Sequence, residues 1–210
     1  MIVVVDYGMG NLRSVTKALE HVSDTEVRIS RSAEEILHAD HVVFPGQGAA
    51  RDCMKELQKY QLVDVIQEAA KSKPFLGICM GMQVLMQSSE ENDGVDCLGF
   101  YQGQVKAFKN KINPTQTGLK IPQMGWSQIE QKTAHPLWQG IESGARFYFV
   151  HSYYVAPEDA SLITGQTTYG LDYASAIAKD NIFAIQAHPE KSAADGLQLL
   201  KNFTQWDGTV

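Results

Sequence analysis

"KPFLGICMGMQVLMQ", residues 73–87, sets a single cysteine between two glycines at the end of an apolar run. Residues 75–78 are predicted to form a buried strand, and the pattern after Cys79 predicts a helix. Gly77 and Gly81 stand two residues before and two after the thiol. This is the G-x-S-x-G elbow pattern with sulfur in place of oxygen, in which a sharp strand-to-helix turn pushes a nucleophile out of the sheet.

The first half of the chain alternates strands and helices around this stretch. The predicted strands are residues 2–6, 26–30, 41–44 and 75–78. Apolar residues at helical spacing follow them, and the helix after Cys79 is predicted from Met82, Leu85 and Met86. Strands that alternate with helices are typical of a parallel sheet covered on both faces.

The second half is rich in short β-like runs. These are residues 103–108, 126–129, 146–155, 162–167 and 174–186. They predict antiparallel strands added to the parallel sheet, whereas residues 110–122 read as a loop and Leu197, Leu200 and Phe203 share a face of a closing helix. Because no linker interrupts the pattern, we predict one α/β domain over residues 1–210, with a mixed, mostly parallel sheet flanked by helices.

Composition narrows the possible functions. The net charge of −6 argues against a nucleic-acid partner, and the longest apolar runs are too short to span a bilayer. The sequence begins directly in a predicted strand, so we expect no signal peptide. The three cysteines, Cys53, Cys79 and Cys97, are odd in number and have no metal-site spacing. We therefore predict a reduced, cytoplasmic protein without a metal or other cofactor.

Cys79 is the candidate nucleophile. In parallel α/β sheets, ligands bind at the carboxyl ends of the strands, and Cys79 falls at such an end. The N-terminus of the following helix would favour the thiolate and offer N–H groups to an oxyanion. A lone cysteine is more often a buried structural residue, but the glycine frame favours the functional interpretation. Cys53 and Cys97 have no such frame and are predicted to be structural.

A thiol nucleophile needs a base and a group that orients it. His188 is the best candidate base, since "FAIQAHPEKS" carries an apolar strand into His188, Pro189 and Glu190. In an extended segment residues two apart point the same way, so His188 and Glu190 could act together. His151 also follows an apolar strand. The other histidines, His21, His38, His41 and His135, are predicted to be solvated.

These motifs resemble the class I, or triad, glutamine amidotransferases, and most closely the glutaminase subunits of the imidazole glycerol phosphate synthases of histidine biosynthesis. The elbow, with Gln83 four residues after Cys79, and the His-Pro-Glu motif are specific to the class. Further matching stretches, spread over essentially the whole chain, are DYGMGNLRSV (residues 6–15), FPGQGA (44–49), PQMGWS (122–127), YFVHSYY (148–154) and HPEKS (188–192). The resemblance implies the flavodoxin-like fold of that class.

The resemblance also implies residue roles. Cys79 would attack the glutamine side-chain amide, His188 would transfer the proton to ammonia, and Glu190 would orient His188. Backbone N–H groups of Met80 and of Gly46, Gln47 and Gly48 would form the oxyanion hole. The substrate's amino and carboxylate ends would be held by Gln83, Glu91, Ser152 and Tyr153. A cyclase subunit, the expected heterodimer partner, would face Asn11, Trp126, Tyr148 and Lys191.

The sequence departs from the family pattern at three positions. Gln47 stands where valine is usual, Ser127 replaces an asparagine, and Ala187 replaces a common phenylalanine. The first departure concerns the flipping of the oxyanion loop and the second the partner contact. The GMGNL turn also begins like a dinucleotide-binding fingerprint, but Arg13 occupies its third glycine position, so we assign the turn to strand–helix packing.

Three alternatives remain open at this point. The chain could serve another synthase, such as those that make anthranilate or pyridoxal phosphate, although the N-terminal and Gly-Trp motifs argue against this. It could be a free-standing cysteine hydrolase on a similar elbow, active without a partner. It could also be a binding module that has kept the fold, which the intact Cys79, His188 and Glu190 argue against.

Overall fold

The computed structural model describes residues 1–209, in which helices cover a large mixed sheet. The strands are β1 (Ile2–Val5), β2 (Val27–Ser30), β3 (His41–Gly46), β4 (Phe75–Cys79), β5 (Met86–Ser89), β6 (Val95–Asp96), β7 (Tyr101–Ala107), β8 (Gln123–Gln131), β9 (Ala145–His151), β10 (Tyr153–Pro157), β11 (Ile163–Thr168), β12 (Asp172–Lys179) and β13 (Ile182–Ile185). The helices are α1 (Leu12–Val22), α2 (Ala33–His38), α3 (Ala50–Lys59), α4 (Val63–Ser72), α5 (Met80–Gln83), α6 (Pro114–Thr117) and α7 (Ala193–Gln205).

The sheet has the strand order β2-β1-β3-β4-β13-β12-β10-β7-β5-β6. The half that carries the elbow, β2-β1-β3-β4-β13, is parallel, and β12, β10 and β7 continue it antiparallel. Strands β8, β9 and β11 form an antiparallel branch that joins through β12. The predicted α/β fold with a mixed sheet is thereby confirmed.

Both faces of the parallel half are buried because successive side chains of a strand point to opposite sides. In β1, Val3 and Val5 pack in the core beneath α2, α3 and α4, whereas Ile2 and Val4 pack in the core beneath α1 and α7. Fully apolar strands such as β1 therefore belong in the interior of a three-layer structure. Their carboxyl ends meet at one edge of the sheet, where the candidate nucleophile lies.

The structure corrects several predicted elements. The helix after Cys79 is a single turn, α5, and residues 86–89 form strand β5 instead of continuing it, because Met86 pairs with Tyr101 of β7. The predicted strand 146–155 is interrupted at Ser152, between β9 and β10. The predicted strand 174–186 is the hairpin of β12 and β13, which turns at Asp180 with a φ of 53°. Residues 110–122 are mainly loop but contain the short helix α6.

Within residues 1–209, no helix has the combination of length and apolar character that crossing a membrane requires. The same residues contain no group of three His, Cys, Asp or Glu side chains placed to hold a metal ion.

Candidate active site

Cys79 is the last residue of β4 and has a backbone conformation that side-chain-bearing residues rarely adopt. Its φ is 55° and its ψ is −107°. A residue held in such a region costs about 1–3 kcal/mol, which the surrounding packing must offset. The turn places the thiol beside a cavity and starts α5 at the next residue, Met80. The sharp strand-to-helix elbow expected at this cysteine is therefore present.

The two flanking glycines are needed because the chain approaches itself closely at this turn. A Cβ atom at Gly81 would overlap the carbonyl oxygen of Phe44 on the neighbouring strand β3. A Cβ atom at Gly77 would lie 2.9 Å from the carbonyl oxygen of Gly81. Both clashes involve backbone atoms that cannot move without distorting the sheet. The glycines around Cys79 thus allow the elbow to pack against β3.

His188 and Glu190 form a buried pair. Nδ1 of His188 and Oε1 of Glu190 are 2.9 Å apart, and both side chains are almost fully buried. Burial alone disfavours the imidazolium, but the negative charges of an ionised Cys79 and of Glu190, with the Glu190 hydrogen bond, outweigh burial and raise the pKa of His188. Nε2 of His188 has no formal hydrogen-bond partner. His188 and Cys79 line the same cavity, where the charge of an ionised Cys79 acts on the imidazole.

The local geometry of this pair differs from the extended segment that the sequence predicted. His188 is extended, with a φ of −103° and a ψ of 94°, but Pro189–Lys191 forms a 3-10 turn. The turn, not strand alternation, brings the Glu190 carboxylate back to the imidazole. The turn is held in place by Ser192, whose hydroxyl donates to the His188 carbonyl and accepts a hydrogen bond from the Tyr148 N–H at 2.9 Å.

A cavity of about 470 Å³ opens in front of the thiol. Most of the predicted substrate residues line it together with Cys79 and His188; they are Gln47, Gly48, Met80, Gln83, Glu91, Ser152 and Tyr153. Lys191, predicted to face a partner, also lines it, as do Pro122, Val150 and His151, which the sequence analysis did not assign to the substrate site. Glu190 lies behind His188, outside the cavity wall.

The predicted oxyanion loop, residues 46–48, lies directly beside the elbow. Gly46 pairs with Cys79 in the register of β3 and β4. A Cβ atom at Gly46 would come within 2.7 Å of the Met80 Cβ. Gly48 has a φ of 89°, and a Cβ atom there would lie 2.8 Å from Cε of Met9 in the GMGNL turn. The two glycine-containing loops are therefore packed together, and the side chain of Gln47 is exposed.

Gln83 and Gln186 connect the cavity wall to the thiol. Nε2 of Gln83 donates to the Tyr153 carbonyl at 3.2 Å and to Oε1 of Gln186 at 2.9 Å. Nε2 of Gln186 donates to Sγ of Cys79 at 3.5 Å. Gln186 was not predicted from the sequence. It could have been found there as the one polar residue in the otherwise apolar run before His188. Oε1 of Gln83 is buried and has no hydrogen-bond partner within the protein.

Glu91 serves the structure as well as the cavity. Its Oε2 accepts the backbone N–H of Ala50 at 2.6 Å, at the start of α3 and two residues after Gly48. Burial raises the pKa of Glu91, and the Ala50 hydrogen bond opposes this rise in part. The Glu91 carboxyl group thus lies in the cavity wall and also holds the chain just after the predicted oxyanion loop.

His151 is a neutral residue of the cavity wall. Burial lowers its pKa to about 4, and its Nδ1 lies 2.7 Å from the Tyr153 carbonyl. Its Nε2 lies 3.3 Å from the Tyr173 hydroxyl, which donates to Gln123 at 3.0 Å. Because the Tyr153 carbonyl can only accept, Nδ1 of the neutral ring carries the proton and donates it there, and the lowered pKa makes His151 a poor base, so His151 is placed to support the wall.

Two histidines predicted to be solvated are not. His135 is buried against the rings of Phe183 and Trp206, and burial lowers its pKa to about 4. His41 is half-buried, with Nε2 2.8 Å from the Trp206 carbonyl. The fold of the C-terminal segment over the sheet covers both residues, which neighbouring polar residues in the sequence could not indicate.

The remaining cysteines are poor nucleophiles. Burial raises the pKa of Cys53 to about 12 and that of Cys97 to about 11. Both lie outside the cavity wall, Cys53 on α3 and Cys97 in the segment after β6.

Two of the predicted partner-facing residues, Trp126 and Tyr148, pair across β8 and β9, and Val150 and His151 of β9 line the cavity. Trp126 is 43% exposed and packs edge-on against Tyr148, with ring centroids 6.1 Å apart. Met124, which the sequence analysis did not single out, is 65% exposed. Asn11 precedes α1, and its side chain makes no capping hydrogen bond to the helix. Large exposed apolar side chains beside an active-site cavity are typical of a protein interface.

The three departures from the family pattern lie in different surroundings. Gln47 is exposed at the cavity, and Ala187 is fully buried beside the triad. Ser127 accepts a hydrogen bond from Gln123 at 3.0 Å.

Comparison with known proteins places these features in a family. The family model described as glutamine amidotransferase class-I matches residues 3–206. The chain is 56% identical over 210 residues to "Imidazole glycerol phosphate synthase subunit HisH" of Hydrogenovibrio crunogenus, covering 99% of this chain and 97% of that one. It is 52% identical over 207 residues to the protein of the same name from Pseudomonas syringae, covering 99% and 98%. A solved structure described as "Crystal structure of glutamine amidotransferase" has a TM-score of 0.74 at 16% identity, with full coverage of both chains, and supports the fold alone.

Proposed function

The chain belongs to the class I glutamine amidotransferases, and we infer that it is the glutaminase subunit of an imidazole glycerol phosphate synthase. The observation that carries this inference is the identity of more than half of all residues, over the whole length, with relatives of that name. The elbow cysteine beside a His–Glu pair supplies the chemistry of glutamine hydrolysis. The amidotransferase domain extends over residues 1–210, and the protein acts in the cytoplasm in histidine biosynthesis.

Cys79, His188 and Glu190 are the catalytic triad. The Cys79 thiolate attacks the carbon of the glutamine side-chain amide, and the protonated His188 gives its proton to the departing nitrogen, so that ammonia leaves and a thioester remains. Water, deprotonated by His188, then attacks the thioester and releases glutamate and the thiol. Glu190 holds the imidazole through Nδ1 and stabilises its charged form.

The oxyanion of each tetrahedral intermediate is bound by backbone N–H groups. Met80, at the start of α5, and the 46–48 loop lie on either side of the thiol. Donors placed where negative charge develops lower the barrier without reorganisation, and one of them contributes roughly 10²–10³ in rate. Since α5 is only one turn long, these individual N–H groups matter more here than a helix dipole.

The α-amino and α-carboxylate groups of glutamine bind at opposite sides of the cavity. Gln83 and the Glu91 carboxylate, both residues of the cavity wall, suit the ammonium group. Ser152 and Tyr153, whose side chains carry hydroxyl donors, suit the carboxylate.

The partner is a cyclase subunit, with which the chain forms a heterodimer. The apolar surface of Met124 and Trp126, with Tyr148 behind it, adjoins the cavity that holds Lys191. Docking there would cover the active site and pass ammonia to the cyclase without release to solvent. The cyclase uses this ammonia to form imidazole glycerol phosphate, together with the carboxamide ribonucleotide AICAR.

Reconstitution of the complex tests this function. Cys79→Ala should abolish synthesis driven by glutamine but leave synthesis driven by ammonium salt at the wild-type rate, because only the supply of ammonia is lost. Loss of both reactions would show that the chain does more than supply ammonia. If the free wild-type chain hydrolysed glutamine at the full rate of the complex, a free-standing hydrolase would be the better assignment. If the chain supported glutamine-driven synthesis only with the partner subunit and ammonia acceptor of another synthase, it would belong to that amidotransferase complex instead.

A further inference from the structure

The catalytic thiol has a second neighbour besides His188. Nε2 of Gln186 lies 3.5 Å from Sγ of Cys79, within hydrogen-bond distance for sulfur. The Gln186 side chain is fully buried. Its position follows from the sheet, because Ile185, the last residue of β13, pairs with Ile78 of β4, and Gln186 and Cys79 are the residues that follow this pair. The backbone N–H of Gln186 is held by the Ser175 carbonyl at 2.8 Å.

We propose that Gln186 is a further catalytic residue, which stabilises the Cys79 thiolate by donating an amide hydrogen bond and is oriented for this by Gln83. The proposal rests on the proposed function, because it concerns the nucleophile of the same reaction. It assigns Gln83 a second task besides substrate binding.

The direction of the hydrogen-bond chain is set by the Tyr153 carbonyl oxygen, which can accept a hydrogen bond but cannot donate one. The Tyr153 carbonyl is only an acceptor, so the amide group of Gln83 that faces it must be the NH₂. The same NH₂ faces Gln186, whose near atom must therefore be its oxygen. The NH₂ of Gln186 is then left to face sulfur. A rotation of the Gln186 amide would set its oxygen against the thiolate and its nitrogen against another nitrogen.

The chemical consequence follows from the charge of the acceptor. A neutral thiol is a weak acceptor, whereas hydrogen bonds to an ionised group are about twice as strong as those between neutral groups. A donor fixed beside Sγ therefore favours the thiolate over the thiol. Since the site is buried and the donor is held by its own partners, it needs little reorganisation when the negative charge forms.

Other titratable groups also act on the thiol, and they stay in place when Gln186 is changed. His188 lies on the cavity side with Glu190 behind it, and Tyr7 lies behind the elbow. The cavity wall further contains His151, Glu91, Tyr153 and Lys191. A difference in the alkylation of Cys79 between variants at position 186 therefore reports the effect of the Gln186 amide alone.

The test is the pH dependence of Cys79 alkylation by iodoacetamide in the full-length chain, with the modified peptide identified by mass spectrometry. Gln186→Leu removes the donor and leaves Gln83 bonded to the Tyr153 carbonyl. We expect the midpoint of alkylation to rise by about one pH unit, a roughly tenfold loss of thiolate below the midpoint, as one charge-assisted hydrogen bond would supply. Gln186→Glu, nearly equal in shape, should raise it further because it sets a second negative charge beside sulfur.

Two more variants separate this role from a structural one. Gln83→Leu should move the midpoint in the same direction but less, since it only frees the Gln186 amide to rotate. Gln123→Leu is the matched control, because Gln123 is also a buried glutamine with hydrogen-bonded partners, Ser127 and Tyr173, but does not contact the thiol. Its alkylation midpoint should equal that of the wild type.

The outcomes distinguish this proposal from the proposed function. If folded Gln186→Leu and Gln186→Glu variants, checked by near-ultraviolet circular dichroism, alkylate with the wild-type midpoint, the role of Gln186 is refuted. If either variant does not fold, Gln83→Leu decides alone, and an unchanged midpoint there refutes the relay. Alkylation requires no glutamine hydrolysis, so a failure of the glutaminase assignment would appear only in the turnover assays of the complex.

Discussion

At the residue scale, the central feature of the candidate site is the raised pKa of the buried His188 imidazole. His188 is only 5% exposed, and desolvation by itself favours its neutral form. An ionised Cys79 on one side and the Glu190 carboxylate on the other reverse that preference and raise the pKa of His188. In the proposed reaction, the raised pKa of His188 keeps a proton available for the departing nitrogen of glutamine.

The roles of His188 and Glu190 predict unequal losses. His188→Ala should remove nearly all glutamine hydrolysis in the complex, whereas Glu190→Gln should retain more, because an orienting group contributes less than the base. In a serine protease triad the corresponding losses in kcat are roughly 10⁶ and 10⁴. Steady-state kcat for glutamate formation gives the comparison, and a greater loss for Glu190→Gln would reverse the two roles.

The same substitution also has a pH signature. Glu190 raises the pKa of His188, so Glu190→Gln should lower it. The alkaline limb of kcat, where His188 loses its proton, should then move to lower pH. An unmoved limb would show that Glu190 does not govern the protonation of His188.

At the scale of the element, the elbow depends on close packing between β3, β4 and α5. Gly46 pairs with Cys79, and Gly81 touches the Phe44 carbonyl so closely that a methyl group has no space. The GMGNL turn meets the oxyanion loop from the other side, where Met9 covers Gly48. The 46–48 loop is thus held in three places: by the packing of Gly46 at its start, by Met9 against Gly48, and by the Glu91–Ala50 hydrogen bond just after its end.

Gly81→Ala should destabilise the protein by several kcal/mol, because the new methyl group collides with the Phe44 backbone, which cannot give way at low cost. Gly99→Ala is the comparison: its φ is 72°, but a Cβ atom there meets nothing within 4 Å. It should cost only about 1 kcal/mol of backbone strain. Urea unfolding measures both free energies, and equal losses would contradict the steric explanation.

At the scale of the whole molecule, the active-site cavity and the exposed apolar surface lie on the same side. Lys191 links them, because it follows Glu190 directly and lines the cavity. A partner carboxylate that pairs with Lys191 would therefore affect the position of Glu190, because one peptide bond joins the two residues.

Lys191→Ala should weaken the stimulation of glutamine turnover by the cyclase ligand and leave ammonia-dependent synthesis unchanged. Parallel assays of the two reactions in the reconstituted complex measure this. Lys201→Ala removes an exposed lysine from α7, away from the cavity wall, and should change neither reaction. Equal ligand stimulation in the wild type and in Lys191→Ala would rule out this route of coupling.

The buried His135 predicts a pH dependence of global stability. Its folded pKa of about 4 lies below the ordinary value of 6.5, so the unfolded chain binds the proton more tightly. The contribution of the neutral, buried His135 to the free energy of unfolding is fully present above pH 6.5 and is lost progressively as the pH falls towards 4. The slope for one such group approaches about 1.4 kcal/mol per pH unit. His135→Gln should flatten the decline in urea-unfolding free energy between pH 6.5 and 4, and an unchanged slope would contradict the assignment.

The sequence by itself determined the parts of this protein that depend on neighbours along the chain. Apolar runs of strand length predicted the parallel strands, since strands buried on both faces must be apolar throughout. The glycine frame predicted the elbow at Cys79, because a residue without a Cβ atom is required where backbones approach closely. His188 and Glu190 were predicted from spacing, although the geometry that joins them is a 3-10 turn and not an extended strand.

Only the tertiary structure decided which residues distant in sequence share a site. Pairing of β5 with β7 ended the predicted helix after one turn, because local helical spacing competes with non-local strand pairing. Burial of His135 and His41 came from the C-terminal segment that covers them. The contact of Gln186 with Cys79, 107 positions apart, follows from the register of two strands that no local pattern contains. Local sequence limits the conformation of each segment, but the packing of the sheet determines which side chains meet.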